Sequence, residues 1–519
     1  FGGDFRYSDW FSGDAALFAG MEYFLRKHGL KFKLEYDSSR PDLDATLPLE
    51  SNSRLNLGIQ YFMNESLNFG FALERGNQFR LNFNYSGNFL RDTIRKPKPK
   101  NVVKLNREQQ LSIIDNNEIF YRSLNRSLRD EDIFIQGATL DDNFVEVSVA
   151  SRKFSSVPRT IGRSARIVSA LSPEEVEKLK INYMNGDLEV TSAIIDKNEF
   201  DKALAGRSSS AEILEYSSIT SRTDKPFMNE AKFKPSVNFP EFNWSMTPAL
   251  RHQIGGPEGF YLGQLWWRTD TSIKFKRNLT LYTTFGIDIY NTFDEFDNAS
   301  YSQIPHVRSD IQEYLSEGKN NIEIMKLEYI HSPFKDTFVR YDLGMIEAMF
   351  GGIGGEIIHR PFNNNFLIGL SYHNVKQRGY KQRFSFRDYQ TDTGHLTLYY
   401  DLPYGISSQI SYGKYLAGDK GSTLDLSRRF KSGFALGVFA TFTDLSKEEF
   451  GEGSFDKGFY FSIPTELFFN DYRSGHISFG MHPLTKDGGA HLNQHNALFG
   501  IIADTNKDSF LNNWEDFLQ

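Results

Sequence analysis

Seven residues able to contact carbohydrate recur along segments that alternate polar and apolar positions: Tyr282, Asp288, Tyr290, His373, His395, Tyr399 and Asp401. Aromatic rings stack on the apolar faces of sugar rings, while carboxylates and imidazoles bond hydroxyls. A passage lined this way works when the contacts are numerous and individually weak, so that cargo can leave; any hydrated wall has a similar composition. A second set is cationic. Arg159, Arg163 and Arg166 stand at i, i+4 and i+7, one face of a helix, and Arg152 and Lys153 lie just upstream. Such a stripe could dock an acidic partner or touch an anionic polysaccharide, or simply face solvent. A third set lies in "DTNKDSFLNNWE", where Asp504, Asn506, Asp508, Asn512 and Glu515 take the first, third, fifth, ninth and twelfth places of a calcium loop. Ser509 replaces the glycine of the sharp turn, so a polar tail is the competing reading.

Catalytic motifs are missing. There is no G-x-S-x-G elbow, Walker A loop or H-E-x-x-H helix, and with no cysteine there is no thiolate nucleophile, metal thiolate or disulfide. The expectation is therefore a non-catalytic protein without a cofactor. A carboxylate pair assembled in space would be the route to the alternative, an enzyme acting on lipid or glycan. "GGIGGEIIH" sits among strands, where a bend or close backbone approach explains the glycines better than phosphate binding.

The elements that must position these side chains are strands. In "NLTLYTTFGIDIY" the residues Leu279, Leu281, Phe285, Ile287 and Ile289 alternate with Asn278, Thr280, Tyr282, Thr284, Asp288 and Tyr290. "RLNLGIQYF", "QFRLNFNY", "HLTLYYDL" and "FALGVFATF" repeat the pattern, and about 18 such strands can be read from period-two alternation, with turn-rich stretches between them. The polar faces carry Arg80, Asp288 and Asp401, as a wet wall would. Many segments reach the roughly 9–11 residues of a tilted membrane strand. Aromatic clusters such as "LGQLWWRTD" and "TELFFNDY" suit interfacial girdles. The expectation is a large antiparallel transmembrane β-barrel with apolar faces towards lipid, rather than a soluble sandwich whose apolar faces meet.

Composition narrows the field. Among 519 residues, hydrophobic side chains make up 39% but aromatics reach 15%, with 47 Phe and 25 Tyr. Mean hydropathy is -0.47, and no stretch approaches the roughly 20 apolar residues of a spanning helix. A net charge of -7 argues against a nucleic-acid partner, which needs a basic footprint. The opening at Phe1, without Met or signal peptide, reads as a mature or trimmed segment.

One interval breaks the alternation. The expected organisation is a first strand run over 1–91, an inserted soluble α/β domain over 92–239, a second strand run over 240–503 and a C-terminal tail over 504–519. Within the insert, "RKPKPKN" reads as a linker and "NREQQLSIIDNNEIFYRSLNRSL" as helical. Hairpins are expected at Asp141-Asp142 and Asn185-Gly186, with a helix from Arg159 to Leu171 between them. Ser172-Pro173-Glu174-Glu175 reads as a capping box that starts another helix, and "KNEFDKALAG" as a short one ending at Gly206. The order β-β-α-β-β-α suggests two similar units.

Residues 221–275, "SRTDKPFMNEAKFKPSVNFPEFNWSMTPALRHQIGGPEGFYLGQLWWRTDTSIKF", resemble the YjbH-type family. So do "SLRDEDIFIQGATLDDNFVEVSVASRKFSSVPRTIGRSARI", the opening "FGGDFRYSDW" and "YDLGMIEAMFGGIGGEIIHRP". The resemblance implies a bacterial outer-membrane barrel of exopolysaccharide or group 4 capsule export, with the insert in the periplasm. It also implies a periplasmic export ring of the Wza type as partner, for which the barrel forms or surrounds the exit port. The competing expectation is a general diffusion porin or nutrient-uptake channel.

Overall fold

The computed structural model describes residues 16–39, 51–88, 90, 96–100, 102–256, 259–293, 302–450, 455–482 and 487–519. The opening stretch 1–10 and parts of the linker 95–101 lie outside them. The chain forms two compact units, Phe1–Arg95 with Glu466–Asn470, and Lys96–Thr465 with Asp471–Gln519. No helix among the described residues is long and apolar enough to cross a membrane, which says nothing of strands.

Alternating sequence produces two antiparallel meanders. The first unit holds β1 (Phe18–Leu25), β2 (Leu30–Asp37), β3 (Leu55–Phe62), β4 (Leu67–Glu74) and β5 (Gln78–Tyr85), paired in chain order. Leu57 and Ile59 are exposed on β3 while Asn56 and Gln60, which flank them, are half-buried.

The second unit contains the insert and a thirteen-stranded sheet, also in chain order. Its strands are β11 (Glu241–Gly256), β12 (Gly259–Lys276), β13 (Leu279–Asn291), β14 (Asn320–Phe334), β15 (Thr337–Met345), β16 (Phe350–His359) and β17 (Phe366–Arg378). They continue through β18 (Phe386–Leu402), β19 (Ile406–Lys414), β20 (Lys420–Arg429), β21 (Ala435–Thr443), β22 (Asp456–Pro464) and β23 (His476–Met481). (Strands β6 (Ile133–Leu140), β7 (Phe144–Ser151), β8 (Lys178–Asn185), β9 (Leu188–Asp196) and β10 (Ser218–Thr220) belong to the insert.) Burial on this sheet is inverted relative to a soluble protein. Along β18, Thr391, Thr393, His395 and Thr397 are buried whereas Leu396, Leu398, Tyr400 and Leu402 are exposed. On β17 His373 is 1% exposed and its neighbour Tyr372 59%.

The insert is a separate five-stranded sheet in the order β10-β9-β8-β7-β6. Helices α1 (Arg107–Asp115) and α2 (Asn117–Arg129) precede it, divided at Asn116, whose side chain caps the second by accepting from the Glu118 N–H at 3.0 Å. Then come β6 (Ile133–Leu140), β7 (Phe144–Ser151), α3 (Val157–Leu171), β8 (Lys178–Asn185), β9 (Leu188–Asp196), α4 (Lys197–Leu204), α5 (Ser210–Glu215) and β10 (Ser218–Thr220). Two ββα units thus stand side by side, joined through the parallel pair β7 and β8. Leu124, Val147, Ile161, Ile181, Val190 and Phe200 form their shared core.

Local chemistry adjusts three expectations. The β8–β9 turn is centred on Gly186 and Asp187, with φ of 55° and 66°, the two positive values of a type I′ hairpin. Ser172 does not start a helix; its hydroxyl donates back to the Val168 carbonyl at 2.6 Å and residues 173–176 form a turn. Beyond β23 no described residue is a strand, so the strand run stops at Met481 rather than 503, and "NALFGIIAD" forms a helix over Leu498–Ile502.

Candidate functional site

The buried face of the thirteen-stranded sheet carries charge where soluble cores carry aliphatic side chains. Period-two spacing puts Lys326 and Glu328 on the same side of β14, and Arg340 and Asp342 on the same side of β15. Glu356 of β16 and His373 of β17 join them. Lys326 Nζ lies 2.9 Å from Glu328, and Arg340 lies 3.8, 3.4 and 3.6 Å from Glu328, Asp342 and Glu356. His373 Nε2 completes the chain 3.3 Å from Asp342. Buried charges persist only when paired and hydrogen-bonded, and this cluster pairs across four neighbouring strands.

Residues 487–519 lie on that face. Asp487 begins the segment by accepting N–H bonds from Val307, Arg308 and Ser309 at 2.8–2.9 Å. Arg308 makes a forked pair with Glu347 at 2.8 and 3.1 Å, and Glu347 also accepts the Asn493 N–H. Lys326 and Arg340 both donate to the His495 carbonyl, at 2.6 and 2.8 Å, and Glu356 accepts the Leu498 N–H. Tyr399 stacks on Phe499 at 4.1 Å. The fully buried Arg360 donates to Thr505 and to the Val190 carbonyl of the insert. One segment therefore bridges the charged sheet face and the insert.

The cationic stripe on α3 receives the end of this segment. Ser156 caps the helix and Pro158 occupies its first turn. Arg159 pairs with Asp516 at 2.7 Å, Arg163 donates to the Gln519 carbonyl and pairs with Glu131 at 2.8 Å, and Arg166 donates to the Leu518 carbonyl. Arg159 and Arg163 are 8% and 4% exposed. The stripe is therefore not an open docking face, because the chain's own residues cover it. Upstream, Lys153 pairs with Asp132 at 2.8 Å, while Arg152 is exposed.

Between the segment and strands β16–β19 lies a cavity of about 260 Å³. His373, His395 and Tyr399 line it, together with Ser371, Thr393, Gln409, Ser411 and the chain from His491 to Gln494. The His395 ring is wedged between His491 and Tyr415, with centroids 4.4 and 4.7 Å away. A methyl at Gly354 would stand 2.3 Å from the His373 ring, so the glycine-rich β16 serves close packing of a side chain over backbone.

Six of the seven alternating residues face this side. Tyr282 packs on His495 at 5.6 Å, Asp288 accepts from Gln264 at 2.7 Å, and Asp401 accepts from Ser407 at 2.7 Å. Tyr290 does not. Asp288 pairs with Trp266 and Tyr290 with Leu265, leaving Ile289 as an unpaired bulge that turns Tyr290 outward, 64% exposed. The calcium pattern is not realised either. Residues Lys507–Asn512 are helical, Asn506 caps that helix by accepting the Ser509 N–H at 2.7 Å, and Asp504 pairs with Arg429. Asp504, Asn506, Asp508, Asn512 and Glu515 therefore do not converge, and no cluster among the described residues could hold a metal ion. Sequence reading missed the buried charge cluster, although alternating "KLE" in β14 and "RYD" in β15 was its signal. It also missed the role of residues 487–519, which no periodicity announces.

A family model described as "Exopolysaccharide biosynthesis protein YbjH", of the YjbH family, matches residues 1–504. A curated relative, "Uncharacterized lipoprotein YjbH" of Escherichia coli (strain K12), is 30% identical over 517 residues, covering 96% of this chain and 72% of the relative. Among solved structures, a Salmonella typhi OmpF complex with daunomycin matches at 10% identity and a TM-score of 0.25, over 43% of this chain and 85% of that one. In-vitro folded OmpT of Vibrio cholerae matches at 9% identity and a TM-score of 0.21, over 49% and 92%. At such scores the two structural likenesses carry no argument; the family match and the curated relative do. The chain belongs to the YjbH family of exopolysaccharide biosynthesis proteins.

Proposed function

We propose that this protein is an outer-membrane β-barrel of exopolysaccharide or capsule export, with its insert in the periplasm. In this reading it acts without catalysis, forming or surrounding the exit port for a periplasmic ring of the Wza type. The observation that carries the proposal is the inverted sheet: Leu370, Leu396, Leu398 and Ile410 are exposed while His373, His395, Thr397 and Ser411 are buried. In water each exposed large apolar side chain forgoes about 1.5–3 kcal/mol of burial; a bilayer supplies that apolar surrounding. Closure satisfies the backbone groups of the outer strands in lipid, and the polar face then borders an aqueous interior able to hold hydroxylated cargo.

The test is a pull-down from detergent-solubilised outer membranes, followed by imaging of what co-purifies, beside secretion measurements in a deletion strain. Co-purification of an export ring together with loss of secreted polysaccharide supports the proposal. A barrel that conducts ions alone, binds no ring and leaves secretion unchanged when deleted is a porin. Recovery in the soluble periplasmic fraction defeats the membrane assignment itself.

A further inference from the structure

We infer that the cavity between β16–β19 and residues 491–497 is a subsite for one uncharged sugar unit, an inference that rests on the export reading above. Two polar atoms of its wall have no protein partner, His395 Nε2 and Ser411 Oγ. Their residues are 7% and 1% exposed, so bulk water does not satisfy them, and a buried unsatisfied group costs about 1–3 kcal/mol. His491 and Tyr415 pack against the His395 ring on two sides. Both residues line this one cavity, and register sets them side by side. His395 pairs with Gly413 and Thr397 with Ser411, which makes His395 and Ser411 diagonal neighbours on one face of the β18–β19 pair. The two atoms do not bond each other, since each is without a partner among the described residues. Two hydroxyls of one sugar ring supply one partner to each, since a hydroxyl both donates and accepts.

The remaining wall selects against charge. Among the described residues no Lys or Arg lines the cavity, and its carboxylate, Glu356, already has Arg340 3.6 Å away, so a uronate, phosphate or sulfate group would find no free cation in the wall. Gln409, Asn493 and Gln494 add amides, which both donate and accept and so suit hydroxyls. The volume of about 260 Å³ falls below the roughly 300–1,000 Å³ of sites for drug-sized ligands, which limits the occupant to about one ring.

The experiment uses the full chain in lipid nanodiscs and saturation-transfer NMR. The probes are methyl α-D-glucopyranoside and methyl β-D-galactopyranoside, with methyl α-D-glucuronide as the charged comparator. Two variants each remove one orphaned atom: Ser411→Ala deletes the hydroxyl alone, and His395→Phe keeps a stacked ring without Nε2. At least one neutral glycoside is expected to bind, with its dissociation constant raised about fivefold to tenfold in each variant, the loss of one hydrogen bond, and the glucuronide is expected not to compete. Absence of binding by both neutral glycosides, unchanged affinity in the two variants, or equal competition by the glucuronide overturns the inference and leaves a cavity filled by solvent only. The export reading is judged separately, by secretion in the deletion strain. Normal secretion there removes that reading without altering the binding data on the purified protein.

Discussion

Glu189, on β9 of the insert, is a carboxylate held where water does not reach it. Burial pushes its carboxyl up to about 7 from 4.5, against a smaller opposing pull from the Phe227 N–H it accepts at 3.0 Å. The folded state therefore binds a proton that the unfolded state has released between those two values. Stability falls as pH rises from about 4.5 to about 7 and stays lowered above that, by on the order of 3 kcal/mol at most. Glu189→Gln is expected to slow amide exchange in the insert sheet of the full chain at pH 8, compared with wild type at the same pH, and to change it little at pH 4.5. Arg340 poses the opposite case. It is fully buried among Glu328, Asp342 and Glu356, so Arg340→Ala leaves carboxylates without their central cation. Breaking a buried pair this way typically costs about 3–5 kcal/mol. The expected readout is faster proteolysis within residues 487–519, since Arg340 also holds the His495 carbonyl.

At the scale of elements, α3 packs closely against the end of the C-terminal segment. Gly162 lies where a methyl group would stand 1.7 Å from the Phe517 carbonyl oxygen. Gly162→Ala must therefore displace the Trp514–Phe517 turn, whose rings stack at 4.2 Å within the insert core. A red-shifted, more quenchable Trp514 emission and earlier cleavage near the C-terminus are expected. Little change in either measurement would mean that the two elements part at small cost. The alternation that defines β11–β23 and the helical spacing of α3 were both readable from the chain. Their partners were not, because contacts such as Arg159 with Asp516 join residues hundreds of positions apart.

For the whole molecule, the inverted sheet is where the proposed membrane reading is tested. Leu370 stands near the middle of β17 and is 52% exposed. In water a lysine at such a surface position changes stability by about 0.5 kcal/mol or less. On a lipid face it costs about 2–4 kcal/mol near the midplane. Leu370→Lys is accordingly expected to lower the folded fraction recovered in lipid vesicles several-fold while leaving the insert protected from exchange. Full recovery of the variant would place that face in water and withdraw the outer-membrane proposal.

The chain by itself determined the local terms: period-two faces, the hairpins and the arginine-bearing helix, and the family its motifs resemble. These depend on neighbours a few residues away, and so are written in short windows of sequence. Tertiary structure decided the rest. A single unpaired residue, Ile289, moved Tyr290 from the buried face to the exposed one, because in a strand one extra position reverses every side chain beyond it. The stripe on α3 found its carbonyl and carboxylate partners in residues 516–519, and a stretch spaced like a calcium loop became a capped helix instead. Each of these outcomes turned on which distant group arrived to satisfy a charge or a hydrogen bond, and spacing along the chain carries no record of that.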